Sequence, residues 1–236
     1  MKGKLYGIGV GPGDPELMTL KAVRIIGECP VAAAPGKDAR SSAAYRIASG
    51  AVPGLDKKEI VSVPMPMVRD RDVTAKAHRE AASLLRHYLD AGKDVAYLTL
   101  GDPTVYCTFS YIQELLEADG YETELVSGIP SFCAAAARLG RPLALGGEGI
   151  HVIPAPRFGD ETLRENDTYV LMKAAGSMGE VKALLEGAPV SVCAAENCTM
   201  EDERLYRSAG EIPGDAGYFS IILAKCEAPR KKRQGT

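Results

Sequence analysis

The chain of 236 residues lacks most of the side-chain patterns that announce a catalytic class. It has no GxSxG elbow, no HExxH zinc helix, no GK[ST] phosphate loop and no acidic, glycine-bearing calcium loop. Its three histidines, His78, His87 and His151, are scattered. His78 and His87 fall on one expected helix, too far apart for a His-x3-His metal pair. The six cysteines (29, 107, 133, 193, 198 and 226) include no CxxC. Cys193 and Cys198 lack the second pair that a zinc site needs, so no metal is expected. Reduced thiols in a cytoplasmic protein are the expectation. No stretch approaches the ~20 apolar residues of a membrane span, and a glycine-broken N-terminal run is no signal-peptide core. With 28 basic against 31 acidic residues the net charge is -3, which removes bulk charge as a sign of a nucleic-acid partner. The basic PRKKR at 229–233 reads as a solvated terminus.

What is present is a chain with 46% apolar and 25% charged residues, enough to bury one large or two small α/β domains. It is organised around LTLGDPTVY at 98–106. An apolar strand there runs into Gly101-Asp102-Pro103, and a helical pattern follows from about 104 to 118. In open α/β sheets ligands bind beyond such strand ends. Before it come strands near 4–10, 31–34 and 59–63. Helices alternate with them at about 19–28, 41–49 and 72–91, which implies a parallel sheet with right-handed crossovers. GIGVGPGDPELMTLKA follows the first strand, yet neither frame of its glycines fits GxGxxG. A strand at 121–126, a small-residue helix at 131–139 and strands at 149–153, 168–172, 189–195, 204–208 and 218–225 read as a mixed second half, with one helix at 178–186. The boundary is expected at 116–122, giving domains 1–118 and 119–236. Glycines and apolar residues gather at 7–13, 100–105, 127–132 and 173–176, which suits a chemistry of positioning more than of proton transfer.

Four of these stretches, GIGVGPGDPELMTLKA, LTLGDPTVYCTFSYIQELL, VSGIPSFCAAAARLGRPLA and YVLMKA, stand in the order and spacing of the tetrapyrrole methylase family, which the chain resembles from residue 5 to about 225. PMPMVRDRD, the TVYCTF run and SGIPSFCAAAARLGRPLA are most similar to the precorrin-2 C20-methyltransferases. The resemblance implies two α/β domains with S-adenosyl-L-methionine folded in the cleft between them, in a homodimer. It implies methyl transfer to C20 of precorrin-2 or cobalt-factor II in cobalamin biosynthesis. Another tetrapyrrole, such as uroporphyrinogen III or a later corrin intermediate, is the alternative acceptor, and a non-catalytic macrocycle or nucleotide carrier is a third reading. Carried over by motif, Pro12, Leu100, Gly101, Asp102, Val105, Ser131, Phe132 and Met172 are expected at the donor. Cys198, in AENCT, matches more loosely because a related subgroup has glycine there. The acceptor carbon is enamine-like and nucleophilic in itself, so no catalytic base is assigned; Asp14, Glu16, Tyr106 and His151 are weak candidates. Lys37, Arg40, Arg69, Arg71 and Arg157 are candidates for the acceptor's carboxylates.

Overall fold

Side chains alternate between faces along a strand, and in the first half of the chain both faces are apolar. β1 (Leu5–Gly9), β2 (Val31–Pro35), β3 (Glu59–Val63), β4 (Val95–Thr99) and β5 (Thr123–Val126) form one sheet in the order β3-β2-β4-β1-β5. Every pairing in it is parallel. The structure is a computed structural model and describes residues 1–66, 68 and 70–226. Arg69 and the 229–233 tail lie outside the described residues. β4, the middle strand, is buried throughout. Its Val95 and Tyr97 pack with Leu85 and Leu89 of α3 (Arg71–Asp90) and with Phe109, Ile112 and Leu116 of α4 (Phe109–Ala118). Its Ala96 and Leu98 face α1 (Leu20–Glu28) and α2 (Ala43–Ala51), meeting Ile25, Ile26, Ile47 and Ala48. α1, α2 and α3 each start where a short polar side chain takes an orphan backbone N–H. The Thr19 hydroxyl accepts from Ala22 N–H at 3.2 Å, and Ser42 from Tyr45 N–H at 3.2 Å.

The helix after β4 starts later than its apolar spacing suggests. Asp102 turns Thr104 into an Asx turn, Tyr106 sits at φ +47°, and Phe109 N–H reaches Cys107 Sγ at 3.4 Å. The chain therefore spends Pro103 to Thr108 on a loop at the strand exit before α4 begins.

The second half builds a sheet in the order β6-β7-β10-β8-β9. Its strands are β6 (Ile150–Pro154), β7 (Thr168–Met172), β8 (Val190–Glu196), β9 (Arg204–Tyr206) and β10 (Ser220–Cys226). β6 and β7 are parallel and the other pairs antiparallel, so this sheet is mixed, as expected. α6 (Met178–Gly187) buries Val181 and Leu185 against Tyr169, Leu171, Ala194, Ile222 and Ala224. α5 (Ser131–Leu139) packs on β8 and β10, with Ala134, Ala135 and Ala136 buried. Its alanines thus serve close packing on a sheet.

The compact units are Met1–Pro130 and Ser131–Thr236. The division expected at 116–122 falls later because β5 is an edge strand of the first sheet, paired with β1 from Leu5↔Thr123 to Ile8↔Val126. Glu124 on β5 also receives Lys4 and Lys21 at 2.8 and 2.7 Å. Asp119-Gly120, within that expected boundary, is the end of α4, where Gly120 takes φ +76°.

Candidate functional site

All five strands of the first sheet run the same way, so their carboxyl ends share one edge, the edge at which parallel sheets bind ligands. Three backbones meet there too closely for side chains. A Cβ on Gly9 would lie 2.5 Å from the Gly101 carbonyl oxygen and 2.6 Å from Gly128 N. One on Gly128 would lie 2.1 Å from that same oxygen. Gly11 and Gly101, at φ +79° and +72°, bridge each other through paired N–H and carbonyl groups (3.3 and 2.8 Å). Gly7 has a separate reason, because its Cβ would enter the Phe109 ring at 2.3 Å. Gly7 and Gly9 share a strand face, while Ile8 and Val10 supply the core on the other. The glycine run is thus a packing device of period two, which accounts for its failure to match a dinucleotide fingerprint.

Asp102 holds this edge together. Its carboxylate, 8% exposed, accepts from the Thr104 N–H and hydroxyl at 2.8 and 2.5 Å through Oδ1. Oδ2 accepts from Gly128 N–H at 3.0 Å. The side chain is committed to tying the β4 exit to the β5 exit, so Asp102 acts by placing backbone. Around it Pro12 and Gly101 are buried, and Leu100 and Val105 half-buried.

In the C-terminal unit Ser131 and Phe132 open α5, both half-buried. Met172 ends β7, half-buried, and Cys198 follows β8, buried. Because β7 and β8 are both antiparallel to β10, Met172 and Cys198 lie past the same end of the mixed sheet. Lys173, Asn197 and Thr199 at those exits take φ of +60°, +49° and +66°, which non-glycine residues adopt only when their surroundings enforce it. One enforcing group is Glu203. It accepts Thr199 N–H at 2.8 Å and receives Arg138 of α5 through two guanidinium nitrogens, the shortest contact at 2.6 Å. Arg138 holds the Glu203 carboxyl below its usual range. Burial, with Glu203 adding to it, pushes the Cys198 thiol up to about 12, which favours its neutral form.

The weak base candidates have local duties. Asp14 caps a short turn by accepting Glu16 N–H at 2.9 Å, and Glu16 is exposed. Tyr106 is exposed on the β4 exit loop. His151 stacks on Tyr169 (centroids 4.4 Å apart) and meets Asp167 Oδ2 at 2.7 Å. It pairs in register with Tyr169, near the start of the strand whose end carries Met172, about 10 Å along. Of the basic candidates, Arg40 is spent on the Tyr45 hydroxyl (2.8 Å) and the Asp56 carbonyl (3.1 Å). Lys37 at the β2 exit, Arg71 at the start of α3 and Arg157 after β6 are exposed. Nothing in the sequence marks Gly9 and Gly128 as partners of Gly101, although each stands at a strand end. The Arg138–Glu203 pair had no sequence signal, being 65 residues apart. Among the described residues no cluster of His, Cys, Asp and Glu could hold a metal ion, and no helix is long and apolar enough to cross a membrane.

The fold is that of an α/β protein of two sheets, one parallel and one mixed, each with glycines or apolar side chains at its strand exits. A family model described as Tetrapyrrole (Corrin/Porphyrin) Methylases matches residues 4–213. The chain belongs to that family. It is 34% identical, over 86% of its length and 86% of the relative's, to a probable cobalt-precorrin-2 C(20)-methyltransferase of Methanocaldococcus jannaschii. It is 33% identical to the cobalt-precorrin-2 C(20)-methyltransferase of Salmonella typhimurium, covering 94% of this chain and 96% of that one. Among solved structures it shares its fold with the uroporphyrin-III C-methyltransferase of Thermus thermophilus complexed with S-adenosylhomocysteine. The TM-score is 0.64 and the identity 23%, over 94% of this chain and 97% of that one.

Proposed function

We propose that the chain transfers a methyl group from S-adenosyl-L-methionine to C20 of precorrin-2 or of its cobalt-bearing counterpart in cobalamin biosynthesis. The observation that carries this reading is the 33% identity, across 94% of the chain, to the Salmonella enzyme of that name. A homodimer working in the cytoplasm belongs to the same proposal.

The residues fit a sulfonium donor by their chemistry. Pro12, Leu100, Gly101, Asp102 and Val105 in the N-terminal unit, with Ser131, Phe132, Met172 and Cys198 in the C-terminal unit, include no basic side chain that would repel a cation. Asp102 contributes the one carboxylate, held by three hydrogen bonds. The donor supplies an activated methyl whose positive charge disperses as it moves, which a dry, apolar setting favours. Leu100 and Val105 in the N-terminal unit, and Phe132 and Met172 in the C-terminal unit, are half-buried apolar side chains of the kind that suit such a donor, and the Asp102–Gly128 tie keeps the backbone of the first unit from drifting. Holding reactants in line supplies several kcal/mol of barrier lowering without a proton relay. Lys37, exposed at the β2 exit, is the basic residue proposed to meet a carboxylate of the acceptor.

The test is tritiated methyl transfer to precorrin-2 and to cobalt-factor II side by side, with mass analysis of the product. One added methyl at C20 is expected. No turnover with either acceptor rejects the reading, and turnover with uroporphyrinogen III instead assigns the chain to another acceptor of the family. Light scattering of the purified chain reads the dimer.

A further inference from the structure

The loop that leaves β4 is fastened at both ends. At its front the Asp102 carboxylate holds Thr104 and Gly128. At its rear Cys107, half-buried, turns its side chain back toward the strand. Its Sγ lies 3.0 Å from Oγ1 of Thr99, the last residue of β4, and accepts Phe109 N–H at 3.4 Å. Thr99 is a firm anchor. It is 8% exposed, pairs in register with Gly9, and its carbonyl accepts Val10 N–H at 2.9 Å. Phe109 opens α4, where a first-turn N–H has no carbonyl of its own helix to bond. Thr108, at the cap position, offers no side-chain acceptor, so the sulfur of Cys107 takes that N–H from one residue further out.

Between the two fastenings stand Val105 and Tyr106. Val105 N–H donates to the Asp102 carbonyl at 3.3 Å, which closes the front turn. Tyr106 takes φ +47°, a conformation that a bulky residue keeps only when its surroundings enforce it. The Thr99–Cys107 contact is one such restraint, because it fixes the residue after Tyr106 against a buried strand end. With Cys107 released, the backbone from Tyr106 to α4 can relax toward ordinary dihedrals and take Val105 with it. The segment 99–107 is thus a loop closed on itself at the carboxyl edge of the parallel sheet, where ligands bind.

We infer that Cys107 and Thr99 are positioning residues for methyl transfer, their contact setting the Val105–Tyr106 backbone at the donor's edge of the sheet. The inference rests on the methyltransferase reading and deepens it, since neither residue is among those carried over by motif and both act through the loop instead of touching the donor. A hydrogen bond of this kind corresponds to about threefold to tenfold in an equilibrium constant.

The test uses the full chain and three variants, Cys107→Ser, Cys107→Ala and Thr99→Val. Calorimetric titration with S-adenosylhomocysteine reads donor affinity, tritiated methyl transfer gives KM for the donor and kcat, and thermal melting reads the fold. Cys107→Ala and Thr99→Val are each expected to weaken S-adenosylhomocysteine binding and to raise KM for the donor about threefold to tenfold. Cys107→Ser keeps a donor and an acceptor at that place and stays within about twofold of wild type. Joining Cys107→Ala to Thr99→Val makes binding no weaker than Cys107→Ala alone, since both remove the same contact. Wild-type donor affinity in Cys107→Ala and Thr99→Val overturns the inference, whatever their melting temperatures, because a tie that serves only the fold moves melting and leaves binding alone. A Cys107→Ser chain as weak as Cys107→Ala overturns it too. Both results leave methyl transfer standing. A wild-type chain that neither binds S-adenosylhomocysteine nor methylates overturns both readings. Should Cys107→Ala fail to fold, Thr99→Val, which keeps the shape of the residue it replaces, carries the test.

Discussion

Replacing Gly128 by alanine should break the strand-end junction that the donor reading depends on. The added Cβ would sit 2.1 Å from the Gly101 carbonyl oxygen and within 2.9 Å of two Gly9 backbone atoms. An ordinary contact begins near 3.4 Å, so the β5 exit and the β4 exit must part by about 1.3 Å. Neither neighbour is a flexible side chain that could swing away. Gly101 is pinned to Gly11 by two hydrogen bonds, and Gly9 lies inside β1. Overpacking of this kind costs about 1–3 kcal/mol, and rigid backbone on both sides places this case at the upper end. The shift also lengthens the 3.0 Å bond from Gly128 N–H to Asp102. A displacement of about an ångström at a positioning site lowers turnover roughly a hundredfold. The control is Gly27→Ala in α1, where an added Cβ meets nothing within 4 Å. It should stabilise the chain by about 0.5–1 kcal/mol through helix propensity. Urea unfolding reads both energies, and calorimetry with S-adenosylhomocysteine reads the site. A Gly128→Ala protein with wild-type stability and wild-type donor affinity would refute the account of why three glycines meet.

Asp102→Ala strands the half-buried Gly128 N–H without its acceptor, a cost of about 1 kcal/mol that urea unfolding should register, while the exposed Thr104 N–H can turn to water. Thiol labelling should discriminate sharply by burial. Exposed Cys133 should alkylate first at pH 8, whereas Cys29 and Cys198, each pushed up to about 12 chiefly by burial, should stay unlabelled by mass spectrometry until the chain unfolds. Lys21 and Lys4 lower the Glu124 carboxyl to about 2. Its stabilisation is therefore complete above the ordinary value of 4.5 and lost as pH falls toward about 2. Glu124→Gln should flatten the stability profile over that interval by roughly a kcal/mol or less, since solvent reaches and screens all three side chains. Glu203→Gln should loosen the β8 exit, raising KM for the donor more than it lowers the melting point, because Arg138 and Thr199 N–H lose a charged acceptor there.

Much of this molecule can be read along the chain because it depends on local period and punctuation. Apolar runs of about five residues, broken by Gly, Asp and Pro, mark the strands of the first sheet. Thr19 caps α1 where the sequence expects a helix to start, since capping involves only near neighbours. Motifs in order carried the family for the same reason: each is short and contiguous. The turn Gly101-Asp102-Pro103 was visible as an exit. That its carboxylate would reach Gly128, 26 residues on, was not. The start of α4 escaped as well, because helical apolar spacing runs through Thr104 to Thr108 while a side-chain acceptor and Tyr106 at φ +47° hold that segment as a loop.

What depends on distant partners came from three dimensions alone. β5 joins the first sheet because its hydrogen bonds and Glu124 find β1, Lys4 and Lys21, and no feature of residues 119–126 states which neighbour a strand will choose. Gly7 and Gly9 look alike in sequence, yet one admits a phenylalanine ring and the other two backbones. The type of each element follows from bonds among adjacent residues, which the order of amino acids encodes directly. The identity of each partner follows from packing across the sheet, where close approach and hydrogen-bond satisfaction are settled between segments that only folding brings together.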